Sequence, residues 1–154
     1  MHVLTIFMRG TPFILIVALV GCGGDRGRSN RAQEVSPLKP IATFYGNYVN
    51  QHQGRPPPSE AEFKAFLQQP ETSQRLKAEF PQVTDVEKLF ISPRDNQPYV
   101  IFYGAIAKGS GPGGGPVVAY EKVGISGKRF VVGSMGSVEE VDEATFRRMV
   151  PGAK

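Results

Sequence analysis

The sequence contains very little cysteine, histidine or tryptophan, and each shortage excludes a kind of site. There is one cysteine, Cys22, there are two histidines, and tryptophan is missing from the 154 residues. One cysteine cannot form an intrachain disulfide, and no cluster of cysteine and histidine exists to hold zinc. The 10 phenylalanines and 5 tyrosines must supply the large core side chains. We therefore predict no metal or cofactor site.

The positive charge of the chain does not indicate a nucleic-acid partner. The formal net charge is +4 and the isoelectric point is about 9.3. Basic residues are mixed with acidic ones along most of the chain, and no basic stretch is interleaved with aromatic residues in the way of a nucleic-acid-binding module. We expect no nucleic acid to bind.

The strongest signal lies at the N-terminus. Phe13–Val20 is a run of eight residues without a polar member. It is too short to cross a bilayer, which needs about 20 apolar residues in a helix. It fits the central region of a secretory signal, with Arg9 as the charge in front of it. A longer segment, Val3–Val20, interrupted by Arg9, Gly10 and Pro12, is an alternative in which the leader stays as an uncleaved anchor.

The leader ends in Leu19-Val20-Gly21-Cys22. This order resembles the lipobox of bacterial lipoproteins. The resemblance implies recognition of Leu19, Val20 and Gly21 by the lipoprotein signal peptidase, cleavage after Gly21, and attachment of membrane lipid to the Cys22 sulfur. Gly23 is similar to the pattern of outer-membrane sorting, which implies the periplasmic face of the outer membrane. An ordinary secretory signal with a chance cysteine remains the alternative.

The order of hydrophobic patterns divides the rest of the chain. We predict a signal peptide over 1–21, a lipidated cysteine and flexible polar tether over 22–35, one domain over 36–150 and a tail over 151–154. The domain is expected to be α+β, with N-terminal helices packed on a small antiparallel β-meander and a short C-terminal helix.

Periodicity and turn residues place the elements. A first helix is predicted from Pro37 to Gln53, stopped by Gly54 and three prolines, and a second begins at the capping-box spacing of Ser59 and Glu62. Pro70 either ends this helix or opens a third. The remaining predictions are four strands and a last helix that turns Phe146 and Met149 inward; the strands are Tyr99–Tyr103, Val117–Val123, Arg129–Val132 and Ser137–Val141.

Two wider resemblances concern the mature part. The segments Tyr48–Phe66, Ile91–Val100 and Val118–Lys122, with the Val-Glu-Glu-Val ending, look like small uncharacterised lipoproteins of planctomycete-type bacteria. The order of helices followed by a meander is similar to the globular heads of type II secretion pseudopilins. The latter resemblance covers the order of elements alone.

No residue pattern indicates catalysis, so we do not expect an enzyme. His52 is expected to cap a helix or lie at the surface, and Asp95 with Asn96 to form a turn. Residues 109–116 are predicted to be a mobile hairpin connection, with a binding lid as the alternative. The acidic residues near the C-terminus are expected to alternate between strand faces or to cap the last helix: Glu139, Glu140, Asp142 and Glu143.

The expected function is that of a membrane-anchored envelope lipoprotein with a non-enzymatic, protein-interaction or structural domain, which binds membrane lipid through Cys22 and possesses an envelope protein partner. The alternative is a pseudopilin-like subunit of a type II secretion or fibre system.

Overall fold

Four helices precede the sheet in the part of the chain that the computed structural model describes, residues 36–105, 107 and 109–153. They are α1 (Leu38–Gln51), α2 (Glu60–Gln68), α3 (Pro70–Glu79) and α4 (Val86–Leu89). The strands β1 (Val100–Ile101), β2 (Val117–Tyr120), β3 (Lys128–Gly133) and β4 (Val138–Asp142) follow, and α5 (Glu143–Met149) comes last. The predicted α+β class and its order of elements are confirmed.

The first helix runs from Leu38 to Gln51, close to the predicted bounds of Pro37 and Gln53. The Ser36 hydroxyl accepts a 3.3 Å hydrogen bond from the Leu38 N–H. At the other end, Gly54 adopts a φ of 84°, and its N–H donates to the Val49 carbonyl at 2.8 Å. A positive φ suits glycine because it has no Cβ. The helix is slightly shorter than predicted, and Phe44 lies on its buried face together with Leu38, Ile41 and Tyr45.

The next helices show that Pro70 opens a third helix, and they include a fourth, α4, that the sequence did not predict. The Glu62 N–H donates to the Ser59 hydroxyl at 3.2 Å, as the capping pattern predicts. Pro70 lies in the first turn of α3, so it opens a third helix. The single turn α4 was not predicted; the Asp85 carboxylate caps it by accepting the Glu87 N–H at 2.9 Å.

The strands form one antiparallel meander in the order β1-β2-β3-β4. Strand β2 ends at Tyr120, three residues earlier than predicted. Of the strand predicted over Tyr99–Tyr103, Val100 and Ile101 form the ladder with β2, and the Phe102 N–H donates to the Val118 carbonyl at 2.9 Å. Strand β4 lies at an edge of the sheet, with Glu140 opposite Phe130 and Asp142 opposite Lys128.

The sheet carries a hydrophobic core on each face, because successive side chains of a strand point to opposite sides. One core joins α1, α2, α3 and α4 to sheet residues that include Val132 and Val138. The second core packs Phe146 of α5 against Tyr120 and Val131, with Met149 partly buried beside it. The inward positions predicted for Phe146 and Met149 are therefore those observed.

Candidate functional site

The residues predicted to direct lipidation, Leu19, Val20, Gly21 and Cys22, lie outside the described residues. The predicted signal peptide and tether, residues 1–35, lie there as well. Of the described part, no helix is long and apolar enough to cross a membrane.

The best-defined polar cluster of the described domain centres on Glu121, the residue after β2. Its side chain is completely buried. One carboxylate oxygen, Oε1, accepts a 3.0 Å hydrogen bond from the Ser92 hydroxyl, and the other, Oε2, accepts a 2.8 Å bond from the Phe130 N–H. Ser92 is also completely buried. The carboxylate therefore fastens the loop that follows α4 to strand β3.

Arg94 extends this cluster to the edge strand. Its guanidinium lies 3.5 Å from Glu121 Oε2 and donates a 2.8 Å hydrogen bond to Glu140 Oε1. The guanidinium also stacks over the Phe130 ring, 4.3 Å from the ring centre. A planar cation over an aromatic face is favourable, and Arg94 thus bridges a buried and an exposed carboxylate.

Burial sets the protonation properties of the cluster. It raises the pKa of Glu121, because removal from water disfavours the charged form; the Phe130 N–H and the Arg94 charge oppose this only in part. Burial also raises the pKa of Tyr99. The neighbouring Ser92 side chain acts to lower this pKa, but among the described residues no hydrogen bond of acceptable distance and angle reaches the enclosed Tyr99 hydroxyl.

Asp95, predicted to lie in a turn, connects this turn to a second one. Its carboxylate accepts hydrogen bonds from the Gln97 N–H at 3.1 Å and from the Gly124 N–H at 2.8 Å. Burial acts to raise the pKa of Asp95, but the two backbone bonds outweigh it and lower the pKa. Asn96 adopts a φ of 55°, which fits the predicted turn.

The hairpin that Asp95 holds, residues 122–128, is tightly built. Ile125 and Lys128 exchange backbone hydrogen bonds of 2.8 and 2.9 Å around Ser126 and Gly127, both of which have positive φ. This is the geometry of a two-residue hairpin turn with both central residues left-handed. A Cβ at Gly124 would overlap the Lys128 carbonyl oxygen. The backbone around Gly124 is therefore closely packed against the start of β3.

The same hairpin presents apolar side chains to solvent. Val123 is 58% exposed and Ile125 is 42% exposed. Lys122 and Lys128 flank them and are exposed too. No carboxylate of the described residues lies within ion-pair distance of either lysine amine.

A groove of about 200 Å³ opens beside the N-terminus of α1. Proline and aliphatic side chains form most of its wall, with a few polar groups at the loop before α4. The lining includes Pro37, Pro40, Val83, Asp85, Lys88 and Pro93.

The glycine-rich segment is a packed loop rather than the mobile connection we expected. Pro112 is buried, the Gly111 N–H donates to the Gly115 carbonyl at 2.7 Å, and the Ser134 N–H donates to the Pro116 carbonyl at 2.8 Å. A Cβ at Gly133 would overlap the Pro112 carbonyl oxygen. The glycines thus allow two backbones to lie in contact.

The other residues considered from the sequence have local structural partners. His52 follows α1, stacks on the Tyr48 ring with centres 3.8 Å apart, and places Nδ1 2.8 Å from the Tyr48 carbonyl oxygen. Asp142 caps α5 by accepting the Thr145 N–H at 2.8 Å. Glu143 binds Arg129 and Arg147.

The Ser92 hydroxyl and the Glu121 carboxylate are both enclosed, and their hydrogen bond connects the loop after α4 to the sheet. Within the described ranges, no group of three or more histidine, aspartate, glutamate or cysteine residues is placed to hold a metal ion. Sequence reasoning had singled out neither Glu121 nor its partners. The available signal was strand alternation, which puts Glu121 on the same face as buried Ala119.

Comparison with known proteins gives no relative. No family model, no curated protein and no solved structure matches the chain.

Proposed function

We propose that this chain is a lipid-anchored protein of the bacterial cell envelope, held at a membrane through acyl chains on Cys22. The observation that carries the proposal is the end of the leader, where the apolar run Phe13–Val20 meets Gly21 and Cys22. One acyl chain binds a membrane marginally and two bind it firmly, so a diacylated or triacylated cysteine would keep the protein there. Gly23 favours the periplasmic face of the outer membrane as its location.

The domain that follows is proposed to be a non-enzymatic interaction or structural module. Its most buried polar groups, Ser92 and Glu121, satisfy each other by hydrogen bonding. Its open features are a groove beside Pro37 and an apolar hairpin at 122–128. Such surfaces suit contact with another envelope component.

Mass spectrometry of the mature N-terminus tests the anchor. The chain is produced with its own leader in a bacterium with two membranes, and the N-terminal peptide is analysed. We expect it to begin at Cys22 and to carry diacylglycerol. The Cys22→Ser variant should remain uncleaved, whereas Ser29→Ala should be processed like the wild type. A protein that begins at Met1, or that carries a free thiol at Cys22, would overturn the proposal.

The interaction role needs its own experiment. The acylated protein is cross-linked in intact cells and recovered from detergent extracts, with the Cys22→Ser variant as the non-acylated control. A partner recovered reproducibly with the acylated form and depleted with the control supports the role. Recovery of the protein alone under several cross-linking chemistries opposes it.

The order of helices followed by a meander favours a second proposal, a pseudopilin-like subunit of a type II secretion or fibre system. Cross-linking of the protein to secretion components in cells would support it. A protein that diffuses freely as a monomer in the membrane would oppose it.

A further inference from the structure

We propose that the hairpin 122–128 is a second membrane contact, which places Val123 and Ile125 in the headgroup region of an anionic bilayer. The inference rests on the proposed function, because it assigns the surface by which an anchored domain would face its membrane.

The exposed apolar side chains of the hairpin carry the first step. Val123 and Ile125 are 58% and 42% exposed, although they stand in a turn that needs no apolar residue for its geometry. The positive-φ positions Gly124, Ser126 and Gly127 set the backbone, and the apolar residues alternate with them. Backbone hydrogen bonds between Ile125 and Lys128 define the turn, so it loses less conformational freedom on insertion than an unstructured loop would.

The charges of the hairpin select the partner. Lys122 and Lys128 flank the apolar pair, are exposed, and have no ion-pair partner in the described domain. Asp142 stands opposite Lys128 in the β3–β4 ladder, but its carboxylate caps α5 by accepting the Thr145 N–H. The Asp95 carboxylate is occupied by backbone N–H groups. Lysines beside apolar residues extend their amines to lipid phosphates while their neighbours enter the acyl boundary. An anionic lipid surface therefore matches both the exposed apolar pair and the two flanking lysines.

The chain outside the described domain is long enough to permit this contact. The α1 N-terminus lies near the far end of β3, since the Lys39 amine donates to the Gly136 carbonyl at 2.8 Å. The hairpin is at the near end of β3, which spans about 20 Å for a strand of its length. Residues 22–35 would reach at most about 46 Å when extended. An acylated Cys22 and the hairpin can thus meet one bilayer.

A single-thiol labelling experiment tests the contact. In the full chain with acylated Cys22, Val123→Cys provides the free thiol, which is labelled with an environment-sensitive fluorophore. The protein is reconstituted into phosphatidylcholine vesicles with or without phosphatidylglycerol, and quenching by lipids with spin-labelled acyl chains is measured. The matched control is Met135→Cys, a 73% exposed apolar position in the turn at the opposite end of β3.

We expect strong quenching at position 123 in vesicles with phosphatidylglycerol and little at position 135. Removing one lysine with Lys122→Gln should weaken the contact about five-fold, and adding Lys128→Gln should weaken it by a similar factor again. Equal quenching at the two positions, or no dependence on phosphatidylglycerol, would overturn the proposal. Protection of position 123 in whole envelopes but not in pure lipid vesicles would also overturn it, in favour of a protein partner.

The same labels in the mature chain, produced without residues 1–21 and with Cys22→Ser, separate the two proposals because this chain has neither the leader nor acyl chains. Lipid-dependent quenching at position 123 without acylation would support the hairpin contact even if mass spectrometry rejects the anchor. An acylated protein whose position 123 remains in water would reject the hairpin contact and leave the anchor intact.

Discussion

The hydroxyl of Ser92 donates a 3.0 Å hydrogen bond to the carboxylate of Glu121, 29 positions away, and both residues are completely buried. Buried carboxylates are costly unless their oxygens are satisfied. Here the second oxygen accepts the Phe130 N–H, and Arg94 supplies a nearby positive charge. The cluster therefore holds the loop after α4 on the sheet.

Replacement of Glu121 by glutamine should stabilise the protein near neutral pH. Burial raises the pKa of Glu121 above its ordinary value of 4.5, so the folded protein holds this proton more tightly than the unfolded chain. The free energy of unfolding therefore falls as pH rises from about 4.5 through the folded pKa. Glutamine cannot ionise, and it can accept from Phe130 and donate to Ser92.

Thermal unfolding followed by circular dichroism across this pH range measures the effect. The Tm advantage of Glu121→Gln should be largest at neutral pH and shrink toward pH 4.5. Glu140→Gln is the control, since it also removes a carboxylate beside Arg94 but at an exposed position; its Tm should not rise. A Glu121→Gln protein that is less stable than the wild type at every pH would contradict this account.

Two buried tyrosines should respond in opposite ways to loss of the hydroxyl. The Tyr45 hydroxyl donates to the Phe102 carbonyl at 2.8 Å, whereas the Tyr99 hydroxyl has no partner in the described domain. Tyr45→Phe should cost about 1 kcal/mol of unfolding free energy, the typical net value of one hydrogen bond. Tyr99→Phe should be neutral or stabilising. Urea denaturation of both variants measures the two changes. An equal loss of unfolding free energy in the two variants would contradict the difference in hydrogen bonding between Tyr45 and Tyr99.

Gly124 and Gly127 form a matched pair for the hairpin. Both have positive φ, 77° and 72°. A Cβ at Gly124 would overlap the Lys128 carbonyl oxygen, while a Cβ at Gly127 would meet nothing within 4 Å. Gly127→Ala should cost about 1–2 kcal/mol for the left-handed backbone alone. Gly124→Ala should cost clearly more, and comparable melting temperatures would show that the turn is looser than described.

Asp95 should support the fold in a pH-dependent way. Burial acts against its charged form, but the bonds from Gln97 and Gly124 lower its pKa below the ordinary 3.8. Its contribution to stability is therefore present above pH 3.8 and is lost as pH falls through the folded pKa. At neutral pH, Asp95→Ala should cost about 1.5–3 kcal/mol, and Asp95→Asn, which keeps one acceptor oxygen, should cost less.

Chemical denaturation at neutral and acid pH checks the Asp95 variants. The gap between wild type and Asp95→Ala should narrow as the solution becomes more acidic. If the difference in unfolding free energy between wild type and Asp95→Ala is constant with pH, the charge of the carboxylate does not strengthen the two backbone hydrogen bonds.

Local signals in the sequence predict most of the elements. The helical spacing of Leu38, Ile41 and Tyr45 and the capping residues Ser59 and Asp142 act within a few residues, so their effects can be read without a fold. Helix α4 escaped prediction because its four residues show less than one period of any pattern.

The polar cluster could not be assembled from the sequence because its members come from three separate elements. Ser92, Glu121 and Glu140 meet only after the meander has formed and the loop has crossed it. The packing of the glycine-rich loop was missed for a related reason. The glycines around Pro112 suggest a flexible backbone. Only the structure shows that the Pro112 backbone packs against the backbone at Gly133, where a Cβ would not fit.

The position of β4 at the edge of the sheet affects how copies of the domain behave when they are crowded together on a membrane. An open strand tends to recruit strands of neighbouring molecules, which leads to aggregation. This strand carries Glu139, Glu140 and Asp142, so two copies brought rim to rim would set like charges against each other. Many copies of the domain could then stand side by side without fusing their sheets.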